Sequence, residues 1–75
     1  MRPISEIAWD IKRNWKNVNY GAVPYLDAML SLDSIRDNYD QDSAKSIVLY
    51  FLSNASSFRG PEAKRIKAEL KGMCK

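Results

Sequence analysis

The residues best suited to chemistry in this chain are one indole and the cations around it. In Glu6–Asn17, EIAWDIKRNWKN, Trp9 has Lys12, Arg13 and Lys16 at its i+3, i+4 and i+7 positions, so a helix would put all four on one side. A large apolar ring bordered by cations offers a platform for stacked bases and charge for phosphates. A second basic run, Lys64, Lys67, Lys71 and Lys75, with Arg59 and Arg65 beside it, has the spacing of a helical stripe able to follow a phosphate backbone. Both groups also have plain structural readings. With Ser5 as N-cap, Ile4 and Trp9 would take the two positions of a hydrophobic staple. For the lysine stripe taken alone the favoured reading is a solvated helix face whose cations suit the helix dipole.

Catalytic chemistry has few parts to work with. The chain has no histidine, which removes the usual general base near neutral pH and the commonest zinc ligand. The acidic loop Asp33, Asp37, Asp40, Asp42 lacks the spacing, central glycine and closing glutamate of a calcium loop, so it reads as a soluble turn that favours the next helix. Cys74, the single cysteine, has no histidine to activate it and no second thiol to pair with. The expectation is a non-enzyme with no metal and no cofactor.

The elements that must position these side chains are helices. Ile4, Ile7, Ala8, Ile11, Trp15 and Val18 recur at helical spacing, which predicts a helix over Ile4–Asn17 with Trp15 facing the core and Trp9 facing away. Asn19, Gly21 and Val23-Pro24 interrupt it, and Pro24 opens a short second helix through Tyr25, Leu26, Met29, Leu30 and Leu32. Asp33–Asp42 is polar and rich in turn-formers, with Ile35 and Tyr39 as anchors and room for one helical turn. The apolar run Ser46–Leu52 has β-branched residues. Even so, a cap at Asp42 or Ser43 and the continued period through Ala44 and Ala55 make it a helix, apolar nearly all round and central. Gly60-Pro61-Glu62 starts the last helix, Ala63, Ile66, Leu70 and Met73 face inward, and Gly72 is a candidate stop. A helix-turn-helix from the last two helices is disfavoured by the linker Ser56–Gly60, which is slightly long for that turn.

At 75 residues the chain has room for a single core, and 45% apolar residues with eight aromatics argue for a folded chain. The expected architecture is all-α: one domain over residues 1–75, a compact bundle of three or four short helices. The net charge of +3 is unevenly spread. Residues 1–16 hold four basic and two acidic groups, residues 59–75 hold six and two, and residues 17–58 hold two and five. Such asymmetry bears on partners. The lack of a signal-like or membrane-length apolar run and the lone cysteine fit the cytoplasm, with no membrane partner.

The strings NWKNVNYGAVPYLDAMLSLDSI (Asn14–Ile35) and DSAKSIVLYFLSNASSFRGPEAKRIKAELKGM (Asp42–Met73) resemble a group of short bacterial, phage and mobile-element proteins that carry no assigned activity. The resemblance implies a context of small cytosolic accessory proteins that bind nucleic acid or host machinery, including inhibitors of host defence. The residues themselves favour a helical module contacting nucleic acid or a nucleoprotein through Trp9, Lys12, Arg13 and Lys16, extended by Lys64, Lys67 and Lys71. The alternative is an adaptor or inhibitor that seats Trp9 in a host protein.

Overall fold

Ile4, Ile7, Ala8 and Ile11 are fully buried, and their 3-and-4 spacing forms the inner stripe of α1, Ile4–Asn14. This is a computed structural model, and it describes residues 2–39 and 42–75. The helix stops three residues before the expected Asn17. Asn14 turns its side-chain amide back onto the Asp10 carbonyl at 2.8 Å, and Trp15 takes an extended conformation. Asparagine competes well for backbone groups, and Asn14 does so at the last residue of the helix. The Trp15 N–H still donates to the Ile11 carbonyl, so the ring keeps its place in the inner stripe.

A 3₁₀ turn, Tyr20–Ala22, runs into α2, Val23–Met29, with Pro24 in its first turn, where a missing N–H is harmless. The helix ends at Met29. Leu32, expected inside it, is buried from the following turn instead. There the Leu32 and Asp33 carbonyls accept the first N–H groups of α1, from Ser5 and Ile4, at 2.7 and 2.8 Å. The unpaired N–H groups at the start of one helix are thus satisfied by the turn that follows another.

The polar segment departs from the all-α expectation. The Asp37 carboxylate accepts the backbone N–H groups of Asp33 and Ser34 at 3.1 and 2.9 Å, closing a turn rather than a helical one. The chain then forms a two-stranded antiparallel ribbon, β1 (Asn38–Tyr39) against β2 (Asp42–Ser43). Ala44 donates to the Asp37 carbonyl at 2.8 Å and ties off its base. Asp40 lies outside the described residues.

Ser43 is both the last ribbon residue and the N-cap of α3, Ala44–Ser53, its hydroxyl accepting the Ser46 N–H at 3.1 Å. The β-branched run is therefore helical. It is not covered on all sides, however: Leu49 and Tyr50 remain 44% and 50% exposed. Gly60 adopts φ 109°, a left-handed value that suits a residue without Cβ, and Pro61 begins α4, Pro61–Met73. Gly72 does not stop this helix, which runs through it to Met73.

Among the described residues these four helices and the small ribbon make one mostly helical globule. Helices α2 and α4 each pack against both α1 and α3. Phe51 and Ile66 are fully buried where these helices meet, as are Met29 and Leu70. Trp15 stacks on Phe58, centroids 5.1 Å apart, and meets Phe51 edge-on at 6.1 Å.

Candidate nucleic-acid interface

Trp9 lies two residues from both Ile7 and Ile11, about 160° around the helix from each, so the packing of α1 turns its ring outward. It is 53% exposed, whereas Trp15 is 6% exposed. The staple considered for Trp9 does not form: Pro3, not Ser5, caps the helix, which makes Ile4 its first residue and a buried one. The Lys12 ammonium stands over the Trp9 ring, 5.6 Å from its centroid. At an exposed site such a contact is worth about 0.5–1 kcal/mol, enough to bias the side chain without committing its charge. Arg13 is exposed and keeps only a loose contact with Asp10, 3.8 Å. Lys16 is exposed beyond the end of the helix.

The other flank of α1 carries an ion-pair network that joins it to α4. Arg2 grips Glu69 with two N–H groups, Nη2 to Oε1 at 2.7 Å and Nε to Oε2 at 3.1 Å. It also donates to Asp10 at 3.1 Å. Arg65 donates to Asp10 at 3.2 Å and to Glu62 at 2.6 Å. Partial burial alone would raise the Asp10 carboxyl, but hydrogen bonds and positive charge from Arg2 and Arg65 outweigh it and hold Asp10 below its usual value. Glu69 is held low first by its hydrogen bond from Arg2, against the opposing effect of burial. Arg65, counted from sequence with the basic stripe, is thus engaged by two carboxylates.

On α4, Lys64 and Lys71 are exposed, while Lys67 is half-buried with its ammonium 5.7 Å from the Phe58 ring centroid. Burial, then the charges of Lys71 and Arg59, make Lys67 easier to deprotonate than an ordinary lysine. Lys12 is two residues from Asp10, and Lys67 two from Arg65, so each lysine points well away from the network on its own helix. The structure therefore brings Lys12 onto Trp9, turns Arg13 toward Asp10, and sets Lys67 near Lys71 on the other helix.

Two features went unread in the sequence. Arg2 and Glu69 are 67 residues apart, and no local pattern announces their pairing. Tyr20, 91% exposed, lines an open groove of about 380 Å³ with Gly21, Val23, Pro24 and Asp27. Here a signal existed, since Tyr20, Val23, Pro24 and Asp27 recur at helical spacing. Of the acidic loop, Asp37 spends its carboxylate on backbone N–H groups. Burial raises the Cys74 thiol above its usual value, though Lys45 opposes this, which leaves it a poorer nucleophile.

No family model, curated protein or solved structure matches the chain. Among the described residues no helix is long and apolar enough to cross a membrane.

Proposed function

We propose that this chain is a non-catalytic helical binding module that contacts nucleic acid, or a nucleoprotein, through the Trp9 face of α1. The supporting observation is the half-exposed indole with the Lys12 ammonium over it, and an exposed Arg13 one helical turn further on. An exposed ring carries a stacked base at about 1–3 kcal/mol, and cations next to it take up the flanking phosphates. Lys16 extends that charge beyond the helix. Lys64, Lys67 and Lys71 on α4 supply further phosphate contacts. In the mobile-element setting that the sequence resemblance implies, such a module acts as a cytoplasmic accessory protein.

The test is a titration of the protein with single-stranded and duplex oligonucleotides over a range of salt. Replacing Lys12, Arg13 and Lys16 together with glutamine should weaken binding at low salt and reduce the log–log salt slope by roughly 2 for a single strand. Binding that ignores both salt and these substitutions rejects the proposal.

A second reading draws support from the same half-exposed Trp9: an adaptor or inhibitor docking onto a host protein, with Trp9 as a pocket anchor. In that case Trp9→Ala abolishes partner binding while the triple glutamine variant retains it.

A further inference from the structure

Exposed large apolar side chains are unevenly placed on this molecule. Trp9 stands on α1 among cations, whereas Tyr20, Val23, Tyr39, Leu49 and Tyr50 all belong to the acidic middle of the chain. Of these, Tyr20 and Val23 wall the groove that also holds Pro24 and Asp27. Its volume of about 380 Å³ falls near the lower end of the roughly 300–1,000 Å³ of ligand clefts, enough for a single flat ring. Asp27 has no cation within ion-pair distance among the described residues. One face thus offers an apolar ring with a cation above it, and another offers an apolar groove with a carboxylate inside it.

We propose that these two faces fit each other between copies of the chain: Trp9 of one molecule enters the Tyr20–Asp27 groove of a second, carrying Lys12 to Asp27. Apolar surface meets apolar surface, and opposite charges meet at its edge. The Lys12 ammonium already lies 5.6 Å from the indole centroid, so the side chain is biased toward the ring it would accompany. Residues 1–16 are net basic and residues 17–58 net acidic, so the long-range field favours the same approach. The contact joins two different patches and is therefore heterologous. It is also small beside the roughly 1,600 Å² of a standard stable interface, so the association is weak and concentration-dependent. The regulatory part rests on the nucleic-acid reading: a strand stacked on Trp9 competes with the groove, and binding it releases the second copy.

Sedimentation of the full chain over a concentration series tests this. The wild type should rise above 8.6 kDa as concentration increases, more so at low salt. Trp9→Ser, and Tyr20→Ser combined with Asp27→Asn, should each remain monomeric, since each lacks one half of the contact. All three side chains are exposed, and circular dichroism of each variant should show the helical content of the wild type. Mixed in equal amounts, the two variants should regain association, because together they hold one intact ring and one intact groove. A wild type that stays monomeric, a variant that still associates alone, or a mixture that does not associate overturns the docking. Oligonucleotide binding retained by the Tyr20→Ser, Asp27→Asn variant then shows that the nucleic-acid reading survives it. Association that persists unchanged under an excess of bound single-stranded oligonucleotide overturns the competition alone.

Discussion

Two tryptophans six residues apart on the same segment have opposite environments, and helical phase is the reason. Trp15 continues the Ile4–Ile7–Ile11 stripe and is sandwiched by Phe58 and Phe51; Trp9 falls between the stripe residues and meets water. Spacing alone put the two rings on opposite sides of the helix; that no staple and no neighbouring segment among the described residues covers Trp9 is known only from the fold. The stability consequence of the division is direct: Trp15→Ala should cost about 3–5 kcal/mol, against a total of about 5–15 kcal/mol for a domain. Trp9→Ala should stay within about 1 kcal/mol. Thermal melts of the two variants check this.

Asp10 was not legible as a hub, because its partners Arg2 and Arg65 are positioned by the tertiary fold. Its carboxyl is held below the ordinary value in the folded state. The stabilisation it gives is therefore present above the unfolded value, about 3.9, and is lost as pH falls through the folded value. The melting temperature of the wild type should fall as pH is lowered through this acid range. Asp10→Asn should be less stable at neutral pH, by about 1 kcal/mol, and should show a shallower decline in acid. An unchanged acid profile would remove Asp10 from the account.

At the scale of elements, the sequence was most readable where caps and prolines act locally. Ser43 caps α3, Pro24 sits in the first turn of α2 and Pro61 opens α4, all from side-chain chemistry within a few residues. The ribbon was less readable. Two residues per strand carry no alternation to detect, and its ties depend on Asp37 bonding backward to Asp33 and Ser34 and forward to Ala44. Gly72 misled because glycine is common just past helix ends; here it stands inside the last turn, with nothing within 4 Å of where a Cβ would lie. Gly72→Ala should therefore stabilise the protein by about 0.5–1 kcal/mol, whereas Ser43→Ala should destabilise it by about 1 kcal/mol. Denaturant midpoints measured on both variants separate these effects by sign.

The whole molecule is a small body with a Cα radius of gyration of 11.0 Å, close to the about 11 Å expected for a compact chain of this length. Its core is complete, with no buried polar or charged side chain among the described residues, so chemistry is confined to the surface. There the charges divide into two kinds. Arg2, Asp10, Arg65 and Glu69 satisfy one another and join α1 to α4, while Lys12, Lys16, Lys64 and Lys71 remain exposed. Composition revealed the basic ends of the chain, but only folding shows which cations are neutralised within them.

The most direct measurement uses the outer indole as its own reporter. Single-stranded oligonucleotide is added at low salt to the wild type and to Trp9→Phe, whose one remaining tryptophan is buried. Stacking on α1 predicts saturable quenching in the wild type that weakens as salt is raised, and no quenching in Trp9→Phe. A flat wild-type signal, or the same quenching in both proteins, would contradict a nucleic-acid surface built on Trp9.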